Sequence, residues 1–143
     1  MAKRISKELR RQVYEKYDGH CAYCGCIITP KEMQVDHLES QYRAERRGEE
    51  VDNSIDNLMP ACRMCNYYKG TRTVEQFRGT LMGTLLQNLR SMFNWRLAKK
   101  YRLVEYGPAY FDRLSFYFEL VDERKRKERQ REECLRVLKE SEE

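Results

Sequence analysis

Two Cys-x2-Cys pairs, Cys21-Ala22-Tyr23-Cys24 and Cys62-Arg63-Met64-Cys65, restrict the folds open to this chain more than any other feature. Each spacing turns two thiolates to one side of a tight bend, and two such bends supply the four soft ligands of a tetrahedral Zn2+. One pair is a weak signal; two together are a strong one. The 37 residues between Cys24 and Cys62 exceed ordinary zinc-ribbon spacing, so something is inserted between the knuckles. His20 and Cys26 stand close enough to substitute within the ligand set, although Cys26 and Cys134 read more simply as spare buried thiols. Four thiolates leave no open coordination position, which makes this zinc structural.

A metal staple suits a chain whose apolar core is thin. Of 143 residues, 41% are apolar and 36% charged, enough for one compact domain with an appended element. No apolar run approaches the length of a bilayer span, and the basic start MAKRISKELRRQ has no apolar stretch behind it. The expectation is a soluble, cytoplasmic protein with no membrane partner, in a compartment where paired cysteines bind metal rather than form disulfides. The net charge of +5 is unevenly spread. Residues 1–18 and 66–102 are basic, 19–65 mildly acidic, and the tail from Asp122 balanced. Basic flanks around an acidic centre suit a protein that grips a polyanion and holds a cation; ordinary solvated helix faces would give the same counts.

Local signals divide the chain into residues 1–20, a helix framing the module; 21–78, the zinc module; and 79–143, a C-terminal extension. Ser6 caps a first helix with Leu9, Val13 and Tyr17 on one stripe, and Gly19 ends it. Residues 33–38 (MQVDHL) read as a strand, 57–60 as a short strand or turn, and a short helix starts near Cys62 and stops at Lys69-Gly70. The polar stretch from Glu39 to Asn53 is long for a structureless connection, so it is partly helical or functional. Thr73 and Gln76 form a capping-box signature for a longer helix carrying Phe77, Leu81, Leu85, Leu89 and Phe93 on one stripe, with Gly79 and Gly83 as weak points. Residues 102–106 (RLVEY) and 115–120 (SFYFEL) suggest a small strand pair before a charged C-terminal helix.

The insert carries the chemistry. Asp36-His37 ends the candidate strand, Asn57 stands five residues before the second cysteine pair, and Asn66 and Lys69 follow that pair. A lone Asp-His pair means little. Here one zinc must bring Cys24 and Cys62 together, which tethers the strand bearing His37 to the helix bearing Asn66. Convergence of Asp36, His37, Asn57 and Asn66 follows from that tether.

The pattern C-A-Y-C-G, V-D-H, D-N-L-M-P-A-C-R-M-C-N-Y-Y-K-G, over about residues 14–78, closely resembles the HNH endonuclease family, whose ββα-metal core is often stapled by four cysteines. The resemblance implies an α+β fold: a ββα-metal zinc module with an N-terminal helix and a mainly helical C-terminal extension. It implies hydrolysis of DNA phosphodiester bonds to 5′-phosphate and 3′-hydroxyl ends. It makes His37 the general base, Asn57 the residue orienting its imidazole, and Asp36 and Asn66 the ligands of one catalytic Mg2+ or Mn2+ ion. The family's final His is Asn66 here, as in HNN-type members, an exchange that favours hard, oxygen-preferring ions. Neighbours in a regular strand point to opposite faces, so the strand is expected to bulge or end at Asp36-His37. Lys69 and Arg72 are candidates for backbone-phosphate contacts, and equally for helix-end cations favoured by the dipole.

Three rivals stand beside this reading: the same chemistry on RNA, a catalytically silent zinc module that binds nucleic acid or a protein partner, and a phage or defence accessory protein acting through residues 79–143. One site cuts one strand at a time, so a monomer nicks and a homodimer cuts both strands. A phage or mobile-element setting is compatible with either.

Overall fold

The computed structural model describes residues 4–107 and 113–140. Helix α1 (Lys7–Glu15) starts at Ser6, whose hydroxyl accepts the Leu9 N–H at 3.1 Å, and it buries Val13. Just past α1, Gly19 has φ +72, and a methyl group there would lie 2.7 Å from the Tyr14 hydroxyl. The strands β1 (Gln34–His37) and β2 (Leu58–Ala61) pair antiparallel with partners Gln34–Ala61, Val35–Pro60, Asp36–Met59 and His37–Leu58. The register is unbroken through Asp36 and stops after His37; the strand ends there and does not bulge. Between the strands, the polar stretch contains α2 (Gln41–Arg46), capped by Ser40.

β2 runs directly into α3 (Arg63–Lys69), with Cys62 at the junction and Gly70 at the far end. β1, β2 and α3 form the expected ββα unit. Phe77 from α4 (Val74–Thr80), which opens with the Thr73–Gln76 capping box, closes over it. The core continues with Val13, Tyr17, Tyr23, Met33, Leu58, Met59 and Phe116, where Tyr23 meets Phe77 and Phe116 edge-on. Lys16 at the end of α1 ties the loop before β2 to this core by donating to the carbonyls of Ile55 at 2.8 Å and Leu58 at 3.1 Å.

Beyond α4 the chain departs from two expectations. The helix does not continue as one stripe to Phe93: a wide π turn spans Leu81–Leu85, α5 covers Leu86–Ser91, and Met92 leaves helical geometry at ψ 131 before α6 (Phe93–Lys100). Nor do residues 102–106 and 115–120 form a strand pair. The first are turn and irregular backbone, and Tyr117 begins α7 (Tyr117–Glu140). The cause is tertiary. Glu119 accepts the Phe116 N–H at 2.8 Å, and the Tyr117 and Phe118 N–H groups donate to Tyr23 and Ala22 carbonyls at 3.0 and 2.8 Å. These contacts satisfy the donors that a helix start leaves unpaired. Pro108 to Asp112 lie outside the described residues. Cys26 and Cys134 are exposed, contrary to their reading as buried thiols. No helix among the described residues is long and apolar enough to cross a membrane.

Candidate functional site

The first knuckle is shaped by its own backbone. Cys21 N–H donates to Cys26 at 2.8 Å, Gly25 N–H to Cys21 at 2.9 Å, and Gly25 takes φ +76 with the Tyr117 ring 2.9 Å from where a Cβ would stand. The second is the start of α3, where Cys62 Sγ accepts the Cys65 N–H at 3.4 Å. The Ala22 N–H donates to the Pro60 carbonyl at 2.8 Å and so lays the first knuckle beside β2. The sulfurs of Cys21, Cys24, Cys62 and Cys65 all lie within 4.8 Å of one another, with Cys24 and Cys62 at 3.9 Å. A tetrahedral ion with metal–sulfur bonds of about 2.3 Å requires sulfurs about 3.8 Å apart, so the cage fits one. Cys21 accepts a hydrogen bond from Cys65 and falls to about 4, while that bond drives Cys65 up. Burial pushes Cys24 up as well, so without an ion the cage keeps thiol protons that a divalent cation would displace. The alternatives stay outside the cage. His20 Nδ1 faces the Asp18 and Tyr17 carbonyls at 3.0 and 3.1 Å and its ring stacks on Tyr117, while Cys26, exposed like Cys24, is not among the four mutually close sulfurs.

Asp36 and His37 occupy opposite faces of β1, as the regular register demands. On one face, Asp36 Oδ2 lies 2.9 Å from Lys69 Nζ and accepts the Tyr23 hydroxyl. Lys69 is fully buried and also donates to the His37 carbonyl at 2.9 Å, so one ammonium holds α3 to both residues. Burial, then the Asp36 charge, pushes the Tyr23 phenol far above its usual range, so it remains a protonated donor. On the other face, His37 lines a groove of about 900 Å3 with Val35, Arg4, Lys7, Arg10 and Gln41. Its Nε2 lies 2.8 Å from Asn53 Oδ1 and 3.3 Å from the Gln41 amide nitrogen. The nearer contact pairs a protonated Nε2 with the accepting Asn53 Oδ1 and leaves the lone pair on Nδ1; the Gln41 amide nitrogen, a donor, faces the same atom and suits the other tautomer.

The readings of Asn57 and Lys69 change. Among the described residues Asn57 makes no side-chain hydrogen bond to His37: its Oδ1 accepts the Glu39 N–H at 2.8 Å and its Nδ2 donates to the Asp52 carbonyl at 2.8 Å. It clamps the turn after β1 to the loop before β2, and Asn53 is the residue on the imidazole. The flagged polar stretch ended at Asn53, but spacing alone could not say which asparagine turns inward. Lys69 is buried against Asp36 and cannot reach a phosphate. Arg72 donates to the Tyr68 and Lys69 carbonyls at 3.1 and 3.4 Å, the helix-end role. Asn66 is half-buried on α3, one turn before Lys69, and among the described residues has no hydrogen bond to Asp36 or His37.

Removing one partner of a buried ion pair strands the other, so Lys69→Met should cost about 3 kcal/mol. Urea unfolding of the metal-loaded protein measures this. Adding Asp36→Leu should restore most of the loss, and wild-type stability in the single variant would contradict the pairing.

Residues 21–72 match the HNH endonuclease family. Over 61 residues the chain is 34% identical to the CRISPR-associated endonuclease Cas9 of Corynebacterium diphtheriae, a match covering 43% of this chain and only 5% of that protein. The crystal structure of the Type II-C Cas9 enzyme from Actinomyces naeslundii aligns over 70% of this chain and 11% of that one, at 22% identity and a TM-score of 0.45. The segment from Cys21 to Arg72, cage and Asp36-His37 strand together, belongs to the HNH endonuclease family.

Proposed function

We infer that this chain is a zinc-stapled endonuclease that hydrolyses DNA phosphodiester bonds with the help of a second divalent ion. One observation carries the reading: His37 is held at Nε2 by Asn53 and lines a groove that also bears Arg4 and Lys7, both exposed. A positioned imidazole whose remaining nitrogen has a lone pair, in a basic groove, is suited to take a proton from water beside a phosphate. Four thiolates in tetrahedral reach favour zinc in the cage, where it is structural.

Asp36 and Asn66 would hold Mg2+ or Mn2+ through hard oxygens. Both Asp36 contacts fall on Oδ2, which leaves Oδ1 for the ion. Bound there, the ion would offset charge growing on the phosphate and the leaving 3′ oxygen. Lys69 already neutralises Asp36, so these two residues alone offer no net negative charge, and the substrate phosphate completes the site. β1 ends at His37, so a phosphate seated across that end would meet Asp36 from one face and His37 from the other. His37 Nδ1 takes a proton of the attacking water and Asn53 steadies the imidazolium through Nε2; the water oxygen bonds to phosphorus as the P–O3′ bond breaks, solvent protonates the departing 3′ oxygen, and the products carry 5′-phosphate and 3′-hydroxyl ends. The Asp36–Lys69 pair is also what a catalytically silent module would carry, and it is the observation that favours that second reading.

Supercoiled plasmid incubated with zinc-loaded protein separates the two. Nicked circles should form only with Mg2+ or Mn2+; no product in any metal would leave the silent module. RNA in place of the plasmid tests the choice of nucleic acid. Asn66 gives a sharper prediction. Asn66→Ala should impair cleavage and spare the zinc, and Asn66→His should raise relative activity with Ni2+ or Co2+, which prefer nitrogen. Equal rates for Asn66→Ala and wild type in every metal would remove Asn66 from the ligand set.

A further inference from the structure

Residues 86–107 form an arm outside the core. Among the described residues, none between Met82 and Gly107 belongs to the core cluster or packs against it. The arm closes on itself. Trp95 lies against Tyr106, Arg90 donates to the Tyr106 hydroxyl at 3.2 Å, and Lys99 sits 4.3 Å from that ring. With these residues turned inward, α6 presents Phe93, Leu97 and Tyr101 outward at i, i+4 and i+8, with exposures of 67%, 43% and 72%. Two rings about 12 Å apart along the axis are left uncovered on one stripe.

The charge around the stripe is one-sided. Arg90, Arg96, Lys99, Lys100 and Arg102 face a single acid, Glu105, in this segment. Arg96, Lys100 and Arg102 are exposed, and among the described residues none of them forms an ion pair. α7 differs in balance: residues 122–143 carry eight cations and eight acids, and Lys127 pairs with Glu123 at 2.7 Å and Arg136 with Glu133 at 2.6 Å. α7 is charge-balanced; the arm is not. A second copy of the same cationic face would be repelled by it, and an eight-residue helix offers little apolar area to a bilayer.

We propose that the arm is a docking surface for an unpaired nucleic-acid strand, with Phe93 and Tyr101 as stacking platforms for bases and Arg96 and Lys100 on the backbone phosphates. Exposed rings with interleaved unpaired cations are what strand binding without sequence readout requires. The inference rests on the endonuclease reading for its biological substrate: the arm would hold single-stranded DNA flanking the cut.

The test uses the full zinc-loaded chain, without Mg2+ or Mn2+, and a fluorescein-labelled oligothymidylate strand. Trp95 is the protein's one tryptophan, so its emission reports on the arm directly. Strand binding should change that emission. Phe93→Ala/Tyr101→Ala should lower affinity for the strand about tenfold with an unaltered salt slope. Arg96→Gln/Lys100→Gln should lower affinity and also reduce the slope of log K against log salt by about 1.4, two phosphate contacts' worth. All four positions are exposed, and an unchanged melting temperature verifies folding. Wild-type affinity and slope in both variants would overturn the proposal. So would equal losses on duplex and single strand for the ring variant, or a Trp95 response to phosphatidylserine vesicles but none to the strand. Because cleavage plays no part, the two readings fail separately. Normal arm binding without metal-dependent nicking refutes the nuclease alone; metal-dependent nicking with unaffected arm variants refutes the arm alone.

Discussion

Cys62→Ser is expected to leave the chain unfolded or insoluble, the largest effect of any single substitution here. Structural zinc contributes about 10–16 kcal/mol of apparent binding energy to small domains, as much as a whole domain's net stability. Cys62 does two things: its sulfur joins the cage, and it caps α3 by accepting the Cys65 N–H. Serine is a good helix cap, so the substitution spares the second role and isolates the first. The cage also ties the first knuckle, which precedes β1, to the start of α3, which follows β2, where the direct backbone link is the Ala22–Pro60 hydrogen bond. Metal analysis should find one zinc per wild-type chain, and a strong chelator should collapse the wild type as the substitution does. Cys26→Ser should be silent, since Cys26 lies outside the cage. Metal-free wild type that melts where the zinc-loaded protein does would refute a structural zinc.

His37→Ala is expected to keep fold and zinc and to lose about 10²–10⁴-fold in plasmid nicking, the usual worth of a general base. DNA binding should survive, because Arg4, Lys7 and the basic arm are untouched, and it should weaken steeply with salt. The two asparagines divide cleanly by mechanism. Asn53→Ala removes the acceptor at His37 Nε2 and should slow cleavage about tenfold with little loss of stability. Asn57→Ala strands the Glu39 N–H and the Asp52 carbonyl and should cost about 1–3 kcal/mol of stability instead. Nicking rates and urea midpoints on the same three variants decide this. Undiminished cutting by His37→Ala would mean that another group is the base. A slower Asn57→Ala of full stability, beside an unaffected Asn53→Ala, would return Asn57 to the imidazole.

What was legible in the sequence was local. The Cys-x2-Cys spacings, the Ser6 and Thr73–Gln76 caps, the strand ending at His37 and the stop at Gly70 each depend on a few consecutive residues, and their physics does not wait for the rest of the fold. The pairing of β1 with β2 came only with the family resemblance, since residues 57–60 by themselves read equally as a strand or a turn.

The rest was decided by neighbours distant in sequence. SFYFEL has the alternation of a strand, yet Ala22, Tyr23 and Glu119 take up the three N–H groups that let it start a helix. Lys69 reads as a helix-end cation until α3 packs on β1 and its ammonium meets Asp36 and the His37 carbonyl, where only a buried charge pair satisfies both. Which asparagine reaches His37 depends on the path of the loop before β2, and spacing does not encode which side chains that loop turns inward. The α6 stripe fits the same rule. Its periodicity was visible as part of one long helix, but only the break at Met92 turns Phe93 away from the core and exposes it beside Tyr101.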